Sequence, residues 1–141
     1  MRWLPIVLVV IGNVFYHLGQ RAIPREAHPV VATLAAYTVA LLATIATIPV
    51  LARDVSFSGA WRTVNASSIA VGVGVVAVEL GFLLAYRAGW QLSDASVTAN
   101  VSLAVVLLAL GALVFREPVS TTRLVGVALC LCGLWLVTRG S

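Results

Sequence analysis

Residues 68–87 read SIAVGVGVVAVELGFLLAYR, and one charge interrupts them. Glu79 is that charge; no other charged residue occurs between Arg62 and Arg87. A run this long and apolar is what a helix needs to cross a hydrocarbon core of about 30 Å. A carboxyl inside such a helix costs about 2.5–3.5 kcal/mol on insertion scales, so it usually faces a bundle interior or a water-filled cavity. Glu79 is therefore the leading functional residue. The plainer alternative is a structural carboxyl, protonated or paired with a buried donor.

The rest of the chain has the same character. Of its 141 residues, 61% are hydrophobic and 10% charged, against about 25% charged in an average soluble domain. Too little polar surface is left to cover a water-soluble fold. The expected class is an all-α integral membrane protein, one domain over residues 1–141, with the lipid bilayer as its first partner. The net charge of +4 comes from nine basic residues against five acidic ones. All nine basic residues are arginines at the ends of apolar runs, a placement that suits snorkelling to headgroups and not nucleic-acid binding.

Five transmembrane helices are expected, at about residues 3–20, 30–52, 66–88, 93–115 and 124–138. The first run ends in polar residues where a signal peptide would need a small-residue cleavage site, so it reads as an uncleaved helix. Pro29 suits the first turn of the second, and Pro49 is placed to kink its end. The link from Arg53 to Asn65 is polar and holds Trp61, an interfacial anchor by type. The fifth run, between Arg123 and Arg139, covers about 22 Å and would need snorkelling or local thinning.

Polar residues inside these runs are the candidate site. Asn13, Tyr16, His17 and Gln20 are spaced i, i+3, i+4 and i+7, one helical face that should look inward. His17 is either a proton relay or an interfacial ring near Arg21. Tyr86 lies two turns from Glu79 and lines its cavity or joins an aromatic belt. Ser96 and Asn100 share a face of the fourth run; Asn100 binds substrate or joins two helices by a hydrogen bond. Glu79, Asn13, Tyr16, His17, Tyr86, Ser96 and Asn100 are expected to converge on one substrate and proton site. Gly126, Cys130 and Gly133 form a small-residue stripe, either the contact between two copies of the dimer or a packing face within one protomer. Cys130 and Cys132 point about 200° apart on a helix and cannot pair. No nucleophile motif, phosphate loop or metal spacing occurs, so neither enzyme chemistry nor a cofactor is expected.

From Glu79 to Trp135 the chain resembles the EamA-type domain of the drug/metabolite transporter superfamily. The stretch ELGFLLAYRAGWQLSDASVTANVSLAVVLLALGALVFREPVS carries this, followed by RLVGVALCLCGLWLV. The matching features are Tyr86-Arg87-Ala88-Gly89, Phe115-Arg116-Glu117-Pro118-Val119-Ser120, and Gly126, Leu129 and Gly133. The opening GNVFYHLGQRAIP is similar to the family's first helix, and the last three runs are similar to small multidrug resistance proteins. The resemblance implies half of a ten-helix inverted-repeat transporter fold, since full-length members carry two five-helix repeats. Small multidrug resistance proteins hold their coupling acid in the first helix, where this chain has none. The role of Glu79 rests on its setting alone.

The expected function is export or exchange of a small organic metabolite, proton-coupled through Glu79, by an antiparallel homodimer in a bacterial cytoplasmic membrane. Orientation follows the arginine bias of the short loops. One side would hold Arg2, Arg53, Arg62, Arg116 and Arg123, and the other Arg21, Arg25, Arg87 and Arg139. So even a split predicts both orientations, and two opposed copies would rebuild an inverted repeat. The alternative is a non-transporting or heteromeric subunit of a membrane complex, such as a lipid-linked sugar flippase.

Overall fold

A computed structural model describes residues 3–139, the side chain of Ser58 excepted; Arg2, counted above for orientation, lies outside them. Among the described residues the fold is all-helical, with five helices long and apolar enough to cross a membrane. It divides after Ala88 into two compact units.

The first unit contains α1 (Leu4–Ala22), α2 (Pro29–Leu51), the short α3 (Phe57–Ala60), a 3-10 turn (Trp61–Thr63) and α4 (Ala66–Arg87). Prolines open α1 and α2, where a missing N–H costs nothing. α2 continues two residues past Pro49 to Leu51. Asn65 caps α4: its side-chain oxygen accepts the Ser67 N–H at 3.0 Å. Gly89, at φ +99°, ends the helix with a backbone turn that a side chain would strain. α4 is the central element and packs against both α1 and α2. Only its second half is shielded. Leu83 and Tyr86 are buried, whereas Val75 and Val76, on the same face by spacing, are exposed.

The second unit is a hairpin of α5 (Leu92–Leu113) and α6 (Thr121–Arg139), which pack on each other. Asp94, Ala95 and Gly111 are buried along α5, and Val101, Val105 and Leu108 are partly shielded between them, as are Val127 and Leu134 of α6. α5 stops at Leu113 because Arg116 turns left-handed, at φ 54°. That conformation costs a non-glycine residue about 1–2 kcal/mol. The Glu117 N–H returning to Gly111 O at 2.9 Å helps to hold it.

The fifth helix corrects the expectation of a short span. It has 19 residues, not the 15 of run 124–138, and at 1.5 Å per residue covers about 28 Å. Arg123 does not bound it. The helix starts at the hydroxyl of Ser120, which accepts the Arg123 N–H at 3.3 Å, while Ser120 O takes the Leu124 N–H at 3.2 Å. A capping hydroxyl, not the charge three residues on, sets the boundary.

Outside these contacts the helices present apolar side chains. Leu8, Phe15, Leu41, Val71 and Leu113 are all more than half exposed. Lipid tails are as apolar as leucine, so this is the surface a bilayer accepts.

Candidate functional site

The site in the first unit grows from the polar stripe of α1 and the packed half of α4. Gln20 is 4% exposed, and its Nε2 donates to a carboxyl oxygen of Glu79, and at 3.4 Å to the Glu79 backbone carbonyl. One turn earlier, the Tyr16 hydroxyl donates to Val78 O at 3.4 Å. Glu79 is thus held at the seam of two helices, half-buried, with an amide on its carboxyl. From α2, Tyr37 lies within electrostatic range of the same carboxyl.

Toward the Arg87 end the stripe becomes aromatic. His17 is 8% exposed and Tyr86 4%. The Tyr86 hydroxyl lies 2.8 Å from His17 Nδ1, and it donates there when Nδ1 carries no proton. The imidazole stands edge-on to Phe82, with ring centroids 4.7 Å apart, and Phe82 stacks on Tyr86. The His17 ring is buried within the first unit. The seam thus holds two polar pairs, hydroxyl with imidazole and amide with carboxyl, groups able to exchange protons and bind polar ligands.

The expected residues divide three ways. Glu79, Tyr16, His17 and Tyr86 come together in the first unit. Asn13, on the same stripe, is exposed, and its amide donates to Val9 O of its own helix at 3.0 Å. Ser96 and Asn100 belong to the second unit, where each bonds its own helix: Ser96 Oγ donates to Ser93 O at 3.1 Å, and Asn100 Nδ2 to Ser96 O at 2.8 Å. Asn100 is exposed. Gly126, Cys130 and Gly133 are exposed on α6, and a Cβ at either glycine would meet nothing within 4 Å.

Two residues matter more than the sequence reading allowed. Gln20 stood on the polar face, but nothing in the spacing said that it, and not Asn13, would reach the carboxyl. Arg87 read as a snorkelling end charge. Its guanidinium instead donates to the carbonyls of Pro24 (3.4 Å) and Ala27, tying the link after α1 to the end of α4. Around this core, several buried polar atoms have no hydrogen-bond partner among the described residues: Gln20 Oε1, Thr33 Oγ1, Tyr37 OH and Arg87 Nε. Such atoms are costly unless water, an ion or a ligand meets them. Among the described residues no three metal-binding side chains gather.

Comparison with protein-family models, with curated proteins and with solved structures found no match to this chain.

Proposed function

We propose that the protein is a membrane transporter of a small organic metabolite, coupled to proton movement through Glu79 and working as an antiparallel homodimer in a bacterial cytoplasmic membrane. One observation carries the reading. The carboxyl inside the apolar α4 does not face outward alone; it meets Gln20 across a helix seam, beside Tyr16, and several buried polar atoms around it lack partners. Intramembrane acids in such seams belong to proton and substrate pathways far more often than to scaffolding. The resemblance of residues 79–135 to EamA-type domains and to small multidrug resistance proteins supports the same reading, and with it the pairing of two copies around a shared site.

Proteoliposomes holding the purified protein test it. A candidate metabolite should be taken up by the single chain, at a rate that varies with pH. Glu79→Gln keeps an amide-compatible partner for Gln20 and so keeps the fold, but should flatten the pH profile. An unchanged profile in that variant refutes the coupling role. Strict dependence of uptake on a second, different chain refutes the homodimer and favours a heteromeric complex.

A further inference from the structure

At the Arg87 end of the seam the first unit holds a cavity of about 180 Å³, lined by Gln20, Arg21, Ile23, Arg25, Leu83, Tyr86 and Arg87. Three of the nine arginines in the chain line this one space. Their bringing together follows from the fold. Arg21 ends α1, Arg25 lies in the link, and Arg87 ends α4 and is fastened to that link through Pro24 and Ala27.

We infer that this cavity binds a phosphate-type oxyanion through Arg21, Arg25 and Arg87. Arg87 is held in place before any ligand arrives, because two loop carbonyls take N–H groups from one of its terminal nitrogens. A guanidinium has five donors, and Nε of Arg87 is buried without a partner. Arg25 has no hydrogen bond or ion pair among the described residues, so its charge is available. Arginine matches an oxyanion with planar, paired donors. The space is large enough for a phosphate group. Glu26 on the same link is the one exposed acid nearby in sequence, and three guanidinium groups outweigh it. The cavity lies at helix ends, the depth at which a bilayer places its own phosphates, so the oxyanion is either a lipid headgroup or a soluble phosphate.

Gln20 joins this cavity to Glu79. With Glu79 ionised, the Gln20 NH2 group is turned to the carboxylate and its carbonyl oxygen is left over. With Glu79 protonated, the carboxyl can donate to that oxygen after the amide turns over, freeing the NH2 group as a donor. Tyr16, Tyr37, Tyr86 and His17 are the other titratable groups along this seam, and of these only His17 can carry a positive charge.

The inference goes beyond the transport reading, because binding to the purified chain in detergent requires no transport. The full-length protein is melted in inorganic phosphate and in chloride at matched ionic strength, and again in nanodiscs of phosphatidylcholine with and without phosphatidic acid. Stabilisation by inorganic phosphate assigns a soluble ligand; stabilisation by phosphatidic acid alone assigns a lipid headgroup. In either case Arg25→Gln should weaken the effect by about tenfold in affinity, one charge-assisted hydrogen bond. Arg25→Lys, which keeps the charge but not the paired donors, should lose less than Arg25→Gln, and Arg62→Gln, before the other end of α4, should leave the effect intact. Arg25 is exposed and has no hydrogen bond or ion pair among the described residues, so its variants should melt close to wild type in chloride. No stabilisation from either source overturns the inference, and so does an equal loss in Arg25→Gln and Arg62→Gln.

Discussion

Two apolar helices of the same length, α4 in the first unit and α5 in the second, each carry a polar residue well inside the span, and the two residues end differently. Glu79 of α4 is bonded across a helix seam to Gln20 of α1. Asn100 of α5 folds its amide back onto Ser96 O, one turn earlier in its own helix. A mid-span polar residue is therefore not enough to make a site. The neighbouring helix must present a donor or acceptor at the same height. α1 does so because it is the least apolar of the five long helices, with polar residues repeated down one face. α6 offers α5 only Val127 and Leu134 at its shielded positions.

The sharpest way to break this contrast is to replace both amides by leucine. Gln20→Leu leaves Glu79 without its side-chain donor and should destabilise the protein by about 1–2 kcal/mol, the upper range for polar contacts between membrane helices. Asn100→Leu removes a bond confined to one helix and should change stability by less than about 0.5 kcal/mol. Thermal melting in detergent reads both. Equal losses would mean that Asn100 has a partner beyond its own helix, and the contrast would fail.

The contrast also marks what could be read from residues alone. The five spans were legible because a membrane leaves one solution, an apolar helix of about 20 residues with every backbone group paired inside it. That the Glu79 carboxyl would turn to a neighbouring helix was legible for the same reason. Which neighbours it would find was not. Asn13 and Gln20 belong to one stripe with equal claim by spacing, and only the crossing of α1 over α4 decides that Gln20 arrives. Ser120 hides its capping role among turn residues, so the start of α6 was misplaced at a charge. The turn after α5 is clearer in hindsight. At Gly111 a Cβ would stand 3.0 Å from Glu117 Oε2, so a side chain there would push the Glu117 carboxylate aside. Glu117 also approaches Arg123 to 3.9 Å, though both side chains are largely exposed and the pair is worth little.

Within the first unit, the aromatic end of the seam should matter less than the carboxyl. Tyr86→Phe keeps the ring stacked on Phe82 and removes only the hydroxyl from His17. The expected cost is about 0.6 kcal/mol, the average for a hydrogen bond between membrane helices. A loss as large as that of Gln20→Leu would move the centre of the seam from Glu79 to His17. Proton exchange of the His17 ring, followed by NMR in wild type and variant, separates a lost bond from a collapsed pocket. In the first case the ring stays slow to exchange, and in the second it does not.

The smallest effect on the single chain is expected on the outer face of α6. A Cβ at Gly126 or Gly133 meets nothing within 4 Å, so the space beside these residues is open within one copy. Gly126→Leu and Gly133→Leu should therefore leave the melting temperature of the isolated chain unchanged or slightly raised, since glycine is a poor helix former by about 1 kcal/mol against alanine. Small residues spaced seven apart let a second helix approach closely. If the homodimer uses this stripe, the same variants should lower the fraction of dimer in liposomes, measured by energy transfer between labelled copies. Gly74→Leu, at an equally open position on α4, serves as the control. A dimer fraction that falls for Gly74→Leu and not for the α6 variants would put the interface on the first unit. That would leave the hairpin of α5 and α6 as the part of the protein with neither a site nor a partner surface, and would make its apolar faces lipid contacts only.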